Sequence, residues 1–373
     1  DTTLFRDGID PTGMRYMKEL GVTHVQIMPA YDYGSVNEGG KDTEFNWGYD
    51  PVNYNVPEGS YSTDPEHGEV RIGEMKEMIQ ALHLQGFRVI MDVVYNHTYS
   101  LDSWFQRTAP WYFYRVFEDG RISNGSACGN DVASEREMCA KYILESVLYW
   151  TEEYHIDGFR FDLMGLLDVN LMNRIRRELD ARYGKGEKIL FGEPWAAAET
   201  AMEGNAVPAL KKNIMLLDEN IGMFCDDTRD AVKGSALKIK RPGFINGASG
   251  KENDIVQSAR AWCATSCGST DEDSDSVTTV KAPSQVITYV SAHDNQTLWD
   301  KLAETLPEAD EAERMRLNRM AAAIYMTCQG SLFFLSGEEF ARTKNGLEDS
   351  FNAPIALNRV DWKQAGENES LVE

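Results

Sequence analysis

Along the chain, short contiguous apolar runs alternate with longer stretches in which apolar residues recur every three or four positions. The first kind reads as strands buried on both faces, the second as amphipathic helices. Asp10 reads as the N-cap of a helix over 11–20, with Pro11 at its first position and Gly21 as its stop. Thr23 to Met28 then reads as a strand ended by Pro29. A helix is predicted over 73–85, followed by the apolar run from Phe87 to Val94 as a strand. Ser134 and Glu137 form a capping-box pattern. The helix after them carries Ala140, Ile143, Leu144, Val147 and Leu148 on one face and ends near Tyr154. From Asp157 a short strand sets Phe159 and Phe161 on one face and Arg160 and Asp162 on the other. Beyond it come a helix over 169–183, a strand over 188–191 running into Gly192-Glu193, and a strand over 213–217 ending at Asp218. A helix near 254–263, a strand over 286–291 running into His293-Asp294, a helix over 309–328 and a strand over 331–335 complete the pattern.

Strict alternation of strand and helix at this length points to an α/β fold, the (β/α)8 TIM barrel. The pattern supplies seven strands, opens on a helix and shows no clear closing helix. The economical expectation is one barrel over residues 1–373, lacking its first strand and last helix in this chain. Its long strand-end loops fall at about 30–72, 96–133 and 234–283. A doubly wound open sheet is the structural alternative. The absence of a Gly-rich phosphate fingerprint after the first strand weighs against a nucleotide-binding version of it.

Composition narrows the partners. The net charge of −23 over 373 residues disfavours nucleic acid and anionic membranes, because nothing would neutralise phosphates. No stretch approaches about 18 uninterrupted apolar residues, so no membrane span is expected. The opening Asp1-Thr2-Thr3 has neither signal character nor an initiator Met, so the native start is expected to lie upstream. Six cysteines in a chain this long do not make a disulfide framework, and Cys263 and Cys267 lack a second pair at zinc-site spacing. The acidic run Asp271-Glu272-Asp273 could hold a structural Ca²⁺, but a solvated loop is the stronger reading. Neither compartment nor oligomeric state follows from the sequence.

In a barrel the strand ends share one mouth, where catalytic residues sit. The polar residues there are Asp92, Asn96 and His97, then Arg160 and Asp162, then Glu193, then His293 and Asp294. Paired carboxylates can cleave a glycosidic bond, one attacking the sugar carbon and the other protonating the leaving oxygen. Asp and His could instead hold catalytic metals. No His-x-His or Glu-x-x-His cluster appears among these strand-end residues, and an Arg two residues before the central acid would repel a cation. The same Arg would keep Asp162 ionised and oriented.

Four stretches in order are similar to the signature regions of glycoside hydrolase family 13, the α-amylase family. They are Asp92-Val93-Val94-Tyr95-Asn96-His97, Gly158-Phe159-Arg160-Phe161-Asp162, Gly192-Glu193-Pro194-Trp195 and Val290-Ser291-Ala292-His293-Asp294-Asn295. Val25-Gln26-Ile27-Met28-Pro29 resembles the family's second-strand motif. Phe45-Asn46-Trp47-Gly48-Tyr49-Asp50-Pro51 resembles the segment that marks type I pullulanases, with Phe45 the one departure. The resemblance implies hydrolysis of α-1,6-glucosidic links in pullulan and branched α-glucans, with no required cofactor and no metal ligand. It implies Asp162 as nucleophile, Glu193 as acid/base and Asp294 as transition-state stabiliser. It also implies substrate contacts from Tyr49, His97, Arg160, Trp195 and His293. Asp92 reads as a structural partner of Arg160, and Asn96 as a loop-fixing residue. An isoamylase or glycogen-debranching enzyme, and a non-catalytic glucan-binding homologue, are the alternatives.

Overall fold

The computed structural model describes residues 6–7, 10–40, 44–263 and 279–372. They fall into two units, Gly21–Met223 on one hand and Phe224–Glu373 with Thr3–Leu20 on the other. At the start of the second unit, β1 (Arg6–Asp7) and β2 (Asp10–Pro11) pair antiparallel. Helix α1 (Gly13–Leu20) begins later than predicted, because Asp10 and Pro11 are strand residues rather than cap and first turn. It buries Met14 and Tyr16, and the Tyr16 ring lies 5.1 Å from that of Trp362.

The unit Gly21–Met223 follows the predicted alternation. Its elements are β3 (His24–Ile27), α2 (Gly68–Leu84), β4 (Arg88–Val93), the short α3 (Trp104–Thr108), α4 (Glu137–Glu153), β5 (Gly158–Phe161), α5 (Val169–Tyr183), β6 (Ile189–Gly192) and β7 (Ile221–Phe224). The five strands are parallel and neighbours in chain order. All four residues of β5 are buried. Full burial of a Phe side chain stabilises by about 1.5–3 kcal/mol, so Phe159 and Phe161 anchor the strand that carries Arg160. At the opposite end of the sheet, Asp157 accepts from the Val89 amide at 2.9 Å and faces Nε2 of His83 at 2.8 Å. His83 thus helps hold the start of β4 against β5.

Two predictions fail in this unit. The apolar run at 213–217 is not a strand: Lys211–Leu216 forms a 3₁₀ segment, and the strand is β7. Asn173 explains the difference. Its amide donates to the Leu216 carbonyl and its oxygen accepts from the Asp218 amide, which occupies backbone groups a ladder would need. Ser134 does not cap α4 either. Its hydroxyl accepts from the Asp168 amide and from Arg115, tying α4's entry to the end of β5's loop.

The other unit continues with α6 (Asp226–Lys233), α7 (Glu252–Ala259), β8 (Val286–Thr288), α8 (Leu298–Thr305), α9 (Glu311–Tyr325) and β9 (Ser331–Leu332). β8 and β9 are parallel. Val232, Val290, Leu298, Leu302, Leu317 and Ala321 form its core. Helices α6 and α8 were not anticipated, because Asp226-Asp227 and Lys301 interrupt their apolar faces. Cys267 and the acidic run at 271–273 lie outside the described residues. Among the described residues no helix is long and apolar enough to cross a membrane.

Candidate active site

Register builds the centre of the site. Asp92 on β4 pairs with Arg160 on β5, so both side chains share one face of the sheet. Burying the Arg160 guanidinium would be costly without anionic partners, and it has three. One terminal nitrogen lies 2.9 Å from Asp92 and 3.1 Å from Asp162, and the other lies 2.5 Å from Glu193. Burial opposes the charge of Arg160, but the carboxylates of Asp92 and Glu193, Tyr49 and Asp162 hold its pKa well above the ordinary value. Burial pushes the Asp92 carboxyl up to about 7, with the charge of Asp162 adding to the rise and Arg160 and Tyr49 opposing it. The expected Asp92–Arg160 pairing is present.

The remaining unit-one residues close around this cluster. The Tyr49 hydroxyl donates to Asp92 at 2.7 Å, and the Arg160 guanidinium sits 5.5 Å from its ring centroid. Tyr49 is presented by a tight turn in which Asn46 accepts from the Gly48 amide. Gly48 has φ 91°, and a Cβ there would come within 3.0 Å of the Pro29 carbonyl, so this turn requires glycine. Asn96 does more than fix its loop: its amide donates to the Asp162 carboxylate at 2.8 Å and to the Asp162 carbonyl at 2.9 Å. The two ring nitrogens of His97 face Asn96 Oδ1 at 2.6 Å and the Tyr49 carbonyl at 2.8 Å. Burial pushes the His97 pKa down, against Asp162 and that carbonyl, which raise it.

Glu193 follows β6 directly and is 5% exposed. Its second oxygen accepts from the Leu163 amide at 2.9 Å. Leu163 is held at φ 38°, a left-handed conformation that a branched side chain rarely adopts. The strain aims the amide that follows Asp162 at Glu193. Gly165 lets the segment after Glu193 approach, since a Cβ there would lie 2.4 Å from the Trp195 carbonyl. Trp195 itself is half-buried beyond Pro194.

His293 and Asp294 are neighbours in the other unit, with His293 Nε2 3.6 Å from Asp294. The ammonium of Lys344, 2% exposed, donates to the His293 carbonyl at 2.7 Å. Lys344 is itself held through its amide by Asp300 at 2.7 Å. Sequence reasoning missed Lys344, and nothing in its local pattern distinguishes it from a surface lysine. The structure thus groups Tyr49, His97, Arg160, Asp162 and Glu193 in one unit and His293 and Asp294 in the other. Asp32, Glu38 and Glu58 also converge, with ligand atoms within 4.8 Å of one another. Their carboxylates already accept from Asn53, from Arg71 and from the Tyr33, Ser60 and Gly59 amides.

The sequence profile of the family described as "Alpha amylase, catalytic domain" matches residues 8–115 and 123–370. The chain belongs to that family. It is 42% identical over 355 residues to the pullulanase of Bacillus subtilis (strain 168), which covers 94% of this chain and 47% of the relative. It is 30% identical over 437 residues to pullulanase 1, chloroplastic, of Arabidopsis thaliana, covering 96% and 45%. The chain spans about half the length of these curated relatives. Among solved structures it resembles the Paenibacillus barengoltzii pullulanase in complex with maltohexaose and α-cyclodextrin. That likeness has a TM-score of 0.91 and 44% identity, covering 100% of this chain and 56% of the other. It sets the fold class as α/β of the (β/α)8 barrel type, to which the described residues contribute seven parallel strands in β3 to β9.

Proposed function

We propose that this chain is the catalytic part of a type I pullulanase, a retaining hydrolase of α-1,6-glucosidic links in pullulan and branched α-glucans. The observation that carries the reading is the convergence of Asp162 and Glu193 on the two terminal nitrogens of one buried guanidinium. Two carboxyls bridged in this way suit the separation of about 5–5.5 Å that retention requires. The 42% identity to a pullulanase supports the linkage.

In this reading, Asp162 attacks the anomeric carbon while the bond to the leaving oxygen breaks and Glu193 gives that oxygen its proton. The product of this step is a glycosyl ester on Asp162. Glu193, now an anion, takes a proton from water, whose oxygen attacks the same carbon and releases Asp162. Arg160 and the Asn96 amide both donate to the Asp162 carboxylate and aim it. In the present geometry Glu193 accepts from Arg160 and from the Leu163 amide, which suits the anion of the second step. The first step therefore calls for a proton to displace one of these donors.

Asp294 is assigned the third acid, which holds hydroxyls of the distorted sugar and matches the positive charge that develops on its ring. Tyr49 serves as the platform under that sugar, His97 and His293 as hydroxyl contacts, and Trp195 as a stacking residue on the leaving side. No cofactor enters either step, so activity should survive chelation. Product analysis on pullulan with the full-length protein tests the reading. Maltotriose is expected. Panose or isopanose would redirect it to α-1,4 cleavage, and glucan binding without reducing sugar would make the chain a non-catalytic homologue.

A further inference from the structure

Residues 98–107 and 51–52 enclose a cleft of about 210 Å³, lined among others by Pro51, Val52, Tyr99, Ser100, Ser103 and Trp104. Its aromatic members are exposed, Tyr99 by 51% and Trp104 by 62%. Large apolar rings left in water on one short stretch mark a binding surface more often than chance. The Trp104 ring is also held in place. The Arg107 guanidinium lies 5.4 Å from the Trp104 ring and makes two hydrogen bonds to Asp102, at 3.1 and 2.9 Å. Below them runs a hydroxyl network. Ser103 caps α3 by accepting from the Gln106 amide and meets the Tyr114 hydroxyl at 2.5 Å, and Tyr114 meets Thr98 at 2.6 Å. The Tyr99 amide donates to the Pro51 carbonyl at 2.8 Å, which ties the two walls together. A platform fixed in this way loses little freedom on binding.

Charge and position name the occupant. Asp102 and Arg107 neutralise each other at the cleft, and the chain's net charge of −23 repels anions. Flat rings beside serine hydroxyls and a carboxylate suit a neutral polyhydroxylated ring, apolar on its face and polar at its rim. The cleft is smaller than the roughly 300–1,000 Å³ of a full ligand pocket, so it accommodates a single sugar ring and no second reaction. Thr98, on its floor, follows His97 directly, and Pro51 stands two residues after Tyr49. We propose that this cleft is an auxiliary glucan-binding subsite outside the cleavage pocket, in which Trp104 and Tyr99 stack a glucosyl unit of an α-glucan. The assignment rests on the glucan-hydrolase reading for its ligand, but its test does not depend on catalysis.

The test uses the full-length protein carrying Asp162→Ala, so that bound glucan persists, with maltohexaose and amylopectin as probes. Adding Trp104→Ala should weaken binding about three- to tenfold, the range of one aromatic contact. Trp104→Phe should restore most of it, and Leu237→Ala, at an exposed position in the other unit, should leave it unchanged. Loss on amylopectin alone would assign the cleft to a neighbouring branch, and loss on both probes to the same short chain. Unchanged affinity for both probes in a folded Trp104→Ala protein would overturn the proposal. So would a loss that Trp104→Phe fails to recover. If the wild type releases no maltotriose from pullulan while Trp104→Ala still loses glucan affinity, the pullulanase reading fails and the subsite stands.

Discussion

Arg160 in one unit and three buried lysines in the other hold positive charge in contrasting ways. In the unit Gly21–Met223, Arg160 is surrounded by the carboxylates of Asp92, Asp162 and Glu193. In the other unit three lysines, each 2% exposed, rest on backbone carbonyls. Lys233 donates to Gln296, Lys301 to Ser235 and Lys238, and Lys344 to His293 and Glu348. Full charges hold the arginine charged, and its pKa rises. Dipoles do not offset burial to the same extent. Burial pushes Lys233 down, against the charges of Glu338 and Asp230, and pushes Lys301 and Lys344 down to about 8. The first arrangement suits a cation that must stay fixed beside the proposed nucleophile. The second pins loop carbonyls, including that of the proposed sugar-binding His293.

The largest effect should come from the charged cluster. Arg160→Met leaves three buried carboxylates without their cation, a change that costs about 3–5 kcal/mol in a buried pair. In the full-length protein it should lower kcat on pullulan by at least about 10³-fold, with Asp162→Ala lower still. Arg160→Lys should recover little, because an ammonium lacks the fork that reaches carboxylates on both nitrogens. Recovery near wild type would show that charge alone matters.

The contrast sharpens with pH. Asp92 is raised from 3.8 to about 7, so its neutral form stabilises the fold below about pH 3.8, and that contribution is lost as pH rises through about 7. Lys344 is lowered from 10.5 to about 8, so its contribution is present above about pH 10.5 and is lost as pH falls through about 8. Asp294, Asp300 and Asp349 oppose the lowering of Lys344, and Arg342 adds to it. Hydrogen exchange of the β5 amides should therefore quicken from pH 4 to 7, after correction for intrinsic rates. Protection of the 343–349 loop should rise from pH 8 to 10. Asp92→Asn should flatten the first trend and Lys344→Met the second. Parallel trends in both units would erase the distinction.

Smaller effects test the backbone around Glu193. Gly165→Ala would drive a methyl against the Trp195 carbonyl and should cost about 1–3 kcal/mol, read as a lower Tm and a raised KM. Leu163→Gly relieves a left-handed φ and should stabilise by up to about 1 kcal/mol. A fall in Tm would mean that the Leu163 side chain matters more than its strain.

Much of this was legible in the sequence where one residue type carried one signal. Contiguous apolar runs gave β4 and β6, the alternation of Phe159 and Phe161 with Arg160 and Asp162 gave β5, and the acids closing β5 and β6 gave the candidates Asp162 and Glu193. What escaped depended on partners distant along the chain. The apolar run at 213–217 looked like a strand until Asn173 claimed its backbone. Ser134 looked like a cap until Arg115 and the Asp168 amide claimed its hydroxyl. Asn96 and Lys344 owe their roles to the tertiary positions of Asp162 and His293, which no local period encodes.

In the proposed mechanism Asp162 is the nucleophile and Glu193 the acid/base of a retaining α-1,6-glucan hydrolase. Mass spectrometry of the full-length protein, after turnover of a slow-deglycosylating fluorinated glucosyl substrate, tests it directly. A single glycosyl adduct is expected on the peptide containing Asp162, and it should disappear in Asp162→Ala. An adduct on Glu193, or a β-anomeric product released with no adduct, would contradict it.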